Sequence, residues 1–105
     1  MQPIARNFAE HLAVIAEVER SCSDAIGRIG ALMVEVLERG GAIYWCGNGG
    51  SAADSQHLAA ELVGRYKGDR RPLRSAALST DSSVLTCIAN DYGFEDIFAR
   101  QVEAL

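Results

Sequence analysis

The stretch Ala42-Ile43-Tyr44-Trp45-Cys46-Gly47-Asn48-Gly49-Gly50-Ser51 decides the fold. Its first five residues form a continuous apolar run, too short for a helix and bounded by glycines on both sides, which predicts a buried parallel strand. The glycines that follow predict a loop over 47–51, and the polar and small residues after them a helix from about Ala52 to Tyr66. A strand that turns through glycines into a helix is the opening of a βαβ unit.

Downstream, Ser75 to Ser79 predict a second short strand, followed by helices from about Ser82 to Ala89 and from about Glu95 to Leu105. Upstream, Phe8, Leu12, Ile15 and Val18 recur at helical spacing from Ile4 and predict an amphipathic helix ending near Arg20. Ser21 and Ser23 offer caps for a restart, and a second helix with Ile26, Ile29, Leu32, Met33, Val36 and Leu37 as its stripe stops at Gly40 and Gly41. The expectation is one domain over 1–105, α/β with a three-layer α/β/α parallel sheet. A helical pair over 1–40 precedes a βαβα core over 41–105. Two strands make a small parallel sheet, and the chain ends within a predicted helix. It therefore reads as the front part of a longer domain or as one that needs partner chains to complete its layers. The stripe of the helical pair exceeds what two strands can cover, which predicts packing against equivalent helices of other subunits.

The bulk numbers bound the class. The chain has 105 residues, 49% hydrophobic and 23% charged, enough for one folded domain with a modest core. No run approaches the roughly 18 apolar residues of a membrane span. Cys22, Cys46 and Cys87 form no CxxC pair and are odd in number, which fits reduced thiols in a cytoplasm, with Cys46 and Cys87 expected in the core. A net charge of -4 argues against a surface that coats nucleic acid. The basic run Arg65, Lys67, Arg70, Arg71 and Arg74 reads as a solvated loop, interrupted by Asp69, with Tyr66 as its one interleaved aromatic residue.

Chemistry concentrates after the first strand. Between a strand and a helix, Gly47 to Ser51 can present backbone amides to a phosphate at the positive end of the helix dipole. There Ser51 serves as a cap or hydroxyl donor, and Asn48 lies at the rim for sugar hydroxyls. The bland alternative is a tight turn with a serine cap. The loop lacks GxGxxG and is not followed by Gly-Lys-Ser/Thr, so dinucleotide and ATP readings lose ground. His57 and Glu61 lie four residues apart on the next helix and share one face. That spacing suits two ligands of a divalent metal, a ligand beside a general base, or simply a surface hydrogen bond. Arg65, one further turn along, can hold an anion or tune the carboxylate.

The run from Gly47 through Ser51, His57, Glu61 and Gly64 to Arg65 strongly resembles the phosphoheptose isomerases of the sugar isomerase (SIS) fold. Ala77-Leu78-Ser79-Thr80-Asp81, Ile88-Ala89-Asn90-Asp91-Tyr92-Gly93 and Phe98-Ala99-Arg100-Gln101-Val102 look like the same family's later segments. The resemblance implies a cytoplasmic homotetramer that interconverts sedoheptulose 7-phosphate and D-glycero-D-manno-heptose 7-phosphate, at the start of nucleotide-heptose synthesis for lipopolysaccharide and other surface polysaccharides. It implies zinc on His57 and Glu61, and proton transfer by Glu61 through an enediol. Its substrate contacts fall on Asn48, Gly49, Gly50, Ser51, Glu61, Arg65, Asn90 and Asp91. The family's Ser-Thr-Ser-Gly phosphate loop and its later glutamine and histidine have no counterpart in these 105 residues, so the expected site is incomplete. Two non-catalytic relatives of the fold compete: a module that binds the replication initiator protein, which lacks the glutamate found here at Glu61, and a sugar-phosphate sensor.

Overall fold

The computed structural model describes residues 2–105. It begins with one continuous helix, α1 (Pro3–Glu38), where the sequence predicts two. No proline interrupts the junction, and the two serines expected to restart a helix are absorbed into it. Ser21 Oγ donates to the Glu17 carbonyl at 2.7 Å and Ser23 Oγ to the Glu19 carbonyl, the back-bonding that lets serine sit inside a helix. Gly40 closes the helix with φ +81°.

Two compact units result, one reaching to Glu35 and the other Val36–Leu105. In the first, no residue of α1 is buried, and its stripe of Ile4, Phe8, Leu12 and Ile15 lies on the surface. In the second, β1 (Ile43–Trp45) pairs in parallel with β2 (Ser75–Ala77), in the register Ile43↔Ser75, Tyr44↔Ala76 and Trp45↔Ala77. The crossover between them is α2 (Gly50–Val63), which packs against both strands. Beyond β2 come α3 (Ser82–Asp91), a 3-10 turn over Phe94–Asp96, and α4 (Ala99–Ala104). The single helix expected from Glu95 is thus a turn and a short helix, tied to the sheet by Gln101, whose Nε2 donates to the Leu78 carbonyl at 2.9 Å.

The α/β class and the parallel pairing are as the sequence predicts. The depth of burial is not: β1 alternates, with Ile43 and Trp45 half-buried and Tyr44 exposed, because α2 covers one face of the strand pair. The core is small, made of Ala59, Leu78, Ile88 and Ile97, and Ser55 is buried with its hydroxyl on the Ser51 carbonyl. Cys46 and Cys87, expected in the core, are both exposed. Cys46 follows the strand and takes its outward alternation, and Cys87 stands on the outer side of α3 next to the buried Ile88.

Candidate functional site

The glycine loop is fixed by hydroxyl groups. Ser51 Oγ accepts from the Asn48 amide at 2.7 Å and donates to the Asn48 carbonyl at 2.9 Å, closing the loop on itself. From the end of β2, Ser79 Oγ accepts from the Gly47 amide at 3.2 Å and donates to the Gly47 carbonyl at 3.0 Å. Gly47 is required by proximity, since a Cβ there would stand 2.5 Å from Ser51 Oγ. Gly49 is required by conformation, with φ +60°.

These contacts change the expected division of labour. The residue that caps α2 is Gly49, with no side-chain cap, and the helix begins at Gly50, two residues earlier than predicted. Ser51 therefore lies inside the first turn, and its hydroxyl proton goes to Asn48. The Asn48 amide is occupied by Ser51 and the Ser51 amide by the Asn48 carbonyl, whereas the Gly49 and Gly50 amides have no protein acceptor among the described residues. They are the donors left for an anion at the positive end of α2.

His57 and Glu61 emerge from α2 two and three turns further on. His57 Nε2 lies 3.6 Å from Glu61 Oε1, too long for a hydrogen bond, with the imidazole 76% exposed and the carboxylate 32%. Two ligand atoms on one tetrahedral zinc stand about 3.3 Å apart, given metal–ligand lengths near 2.0–2.1 Å. The pair thus fits two positions of a divalent site in spacing and in its nitrogen and oxygen donors. No third His, Cys, Asp or Glu joins them among the described residues.

Arg65 does not sit one turn along that face. Gly64 ends α2, its amide returning to the Ala60 carbonyl at 2.8 Å, and Arg65 lies in the loop beyond. Asn90 and Asp91 close α3, where Asn90 Nδ2 donates to Asp91 Oδ1 at 3.1 Å and Cys87 Sγ to Asp91 Oδ2 at 3.5 Å. That hydrogen bond and the carboxylate charge push the Cys87 thiol above its ordinary range. A cavity of about 310 Å³ opens beside the loop, lined by Gly47, Asn48, Gly49 and Ser79 on one side and by Leu85 and Phe98 among others opposite. Of the predicted substrate residues, Asn48 and Gly49 reach it; Gly50, Ser51, Glu61, Arg65, Asn90 and Asp91 do not.

Two residues with structural roles at this site escaped the sequence. Ser79 was legible only as the end of a strand. Arg70 was one of a basic run read as solvated, yet its guanidinium donates to the carbonyls of Glu61, Leu62, Gly64 and Arg71. In the same run Arg74 donates to the Gly40 carbonyl and Arg71 to that of Pro72.

The model of the SIS domain family matches residues 7–105. Phosphoheptose isomerase 1 of Campylobacter jejuni is 50% identical over 102 residues, which cover 97% of this chain and 54% of the relative. The solved phosphoheptose isomerase of Neisseria gonorrhoeae superposes with a TM-score of 0.87 at 44% identity, over 97% of this chain and 52% of that one. That of Francisella tularensis gives a TM-score of 0.90 at 36% identity, over 97% and 53%. The chain spans about half the length of the relatives it matches.

Proposed function

The chain belongs to the SIS domain family, and from that premise we propose that it forms the glycine-loop half of a phosphoheptose isomerase site. The reaction is the interconversion of sedoheptulose 7-phosphate and D-glycero-D-manno-heptose 7-phosphate, on the way to nucleotide-heptose for lipopolysaccharide, in a cytoplasmic homotetramer. The observation that carries the reading is the placement of His57 and Glu61 on one face of the helix that begins at the loop, 3.6 Å apart.

In this proposal the free amides of Gly49 and Gly50 meet an anionic or hydroxyl oxygen of the sugar phosphate, and Asn48 reaches a hydroxyl at the rim. Ser51 and Ser79 keep the loop in shape for that contact. His57 and Glu61 hold zinc, which when bound polarises the oxygens of the reacting carbons. Glu61 carries the proton between the two carbons through an enediol, the work of a carboxylate placed beside adjacent carbons of a sugar phosphate. Arg65, Asn90 and Asp91, all exposed and apart from the cavity, contact the substrate's polar ends once the remaining elements of the domain are in place. The surface stripe of α1 supports packing against equivalent helices of other subunits. Glu61 favours this reading over a module for the replication initiator protein, and the metal-type pair favours it over a sugar-phosphate sensor.

The test is turnover of sedoheptulose 7-phosphate with added zinc, run on the 105-residue chain and on the protein extended to the length of its relatives. Turnover by the extended protein alone is expected. An extended protein that binds the sugar phosphate and never converts it would replace the isomerase with a sensor.

A further inference from the structure

We propose that Arg70 is a positioning residue for Glu61, clamping the last turn of α2 so that the carboxylate keeps its place beside His57. The inference rests on the metal-ligand reading of that pair. Glu61 sits three residues from the helix end at Gly64, in the turn where carbonyls run out of intrahelical amides. The Ala60 carbonyl is served by the Gly64 amide. The carbonyls of Glu61 and Leu62 would take amides of the next turn, and α2 has none because the chain departs at Gly64.

Arg70 replaces that missing turn. Its Nη2 donates to the Glu61 carbonyl at 2.8 Å, and its Nη1 lies 3.0 Å from the Leu62 carbonyl and 3.1 Å from that of Gly64. The same Nη1 is 3.1 Å from the carbonyl of Arg71, so the guanidinium also fixes the strand-bound segment it comes from. Two residues later the Leu73 amide donates to the Leu62 carbonyl at 3.1 Å, a second tie between that segment and the helix end. A planar fork of N–H donors suits several converging carbonyls, and a cation is favoured at the negative end of the helix dipole. Helix ends without partners fray, and a ligand on a fraying turn loses its fixed distance to the other ligand. Among the described residues nothing comparable holds His57, which lies one turn further from the helix end than Glu61, within the body of α2.

Zinc affinity, measured by chelator competition on the protein at the full length of its relatives, tests this without recourse to activity. His57→Ala and Glu61→Gln first establish that the metal sits on the pair; if neither weakens binding, the ligand reading and the inference fall together. If both do, Arg70→Ala is expected to weaken zinc about tenfold, the effect usual for residues that orient a ligand. Faster amide exchange at Gly64 should accompany it, and guanidinium added at millimolar concentration should restore most of the affinity. Arg74→Ala serves as the structural control, since it removes a guanidinium contact of the same basic run that goes to the Gly40 carbonyl and not to α2, and it should leave zinc binding unchanged. Should Arg70→Ala fold poorly, Arg70→Lys, which keeps the charge without the fork, should fold and bind zinc more weakly than the parent. Affinity equal to the parent's in Arg70→Ala, or in Arg70→Lys where that is the variant that folds, would overturn the role while leaving His57 and Glu61 as ligands.

Discussion

The two longest helices are held in opposite ways. In α1 every side chain is at least partly exposed, and Ser21, Ser23 and Arg20 bond to groups three or four residues back on the same helix. In α2 both ends are anchored from outside, by Ser79 through the loop and by Arg70 at the far end, and its own Ser55 and Ala59 are buried. The amphipathic helix presents its apolar stripe at the surface, and the anchored helix holds His57 and Glu61. A side chain that must stay within a few tenths of an ångström of a partner needs tertiary contacts, and helical periodicity alone supplies none.

The largest effect expected in α2 is on catalysis. Glu61→Gln in the extended protein should lower turnover on the order of 100-fold or more, with its fold unchanged by circular dichroism. A small loss would mean that another group carries the proton.

Glycine substitution then separates the two helices. Gly47→Ala drives a Cβ to 2.5 Å from Ser51 Oγ and should destabilise the protein by about 2 kcal/mol in urea unfolding. Gly30→Ala, in the open interior of α1, should stabilise it by roughly 0.5–1 kcal/mol. A loss at Gly30 instead would reveal a neighbouring subunit against that side of α1.

The serines sharpen the same contrast at smaller scale. Ser51→Ala strips the Asn48 amide of its acceptor and should cost about 1 kcal/mol, whereas Ser21→Ala should stay within about 0.5 kcal/mol. Equal effects would mean that the loop is no better fixed than the long helix.

Smallest is a change in thiol reactivity. Asp91 raises the Cys87 pKa, so less thiolate is present at pH 8 than an isolated thiol would show. Asp91→Ala removes both the acceptor and the charge and should speed alkylation of Cys87 while leaving Cys46 unchanged.

Much of this is legible in the amino-acid sequence. The apolar run at 42–46, the glycines after it and the 57/61 spacing gave the strand, the loop and the shared face, because each rests on local sequence. What was misread depends on contacts made elsewhere. Ser21 looked like a cap, yet inside a helix a serine hydroxyl can share the carbonyl four residues back. Arg65 looked like a third turn of the face, but Gly64 releases the chain first. Ser51 looked like the cap, and that place fell to Gly49 because the helix starts at Gly50 and the Ser51 hydroxyl is taken by Asn48. Arg70 was invisible because its partners lie six to nine residues back, across a bend that no periodicity encodes.

The most direct test of the central claim is proton exchange in D2O. The extended protein with zinc is given sedoheptulose 7-phosphate, and the aldose formed is followed by proton NMR. Conversion with deuterium entering at the carbon beside the carbonyl, abolished by Glu61→Gln, is the predicted result. A protein that binds the sugar phosphate yet neither converts it nor exchanges its protons would contradict the assignment of His57 and Glu61 to an isomerase site.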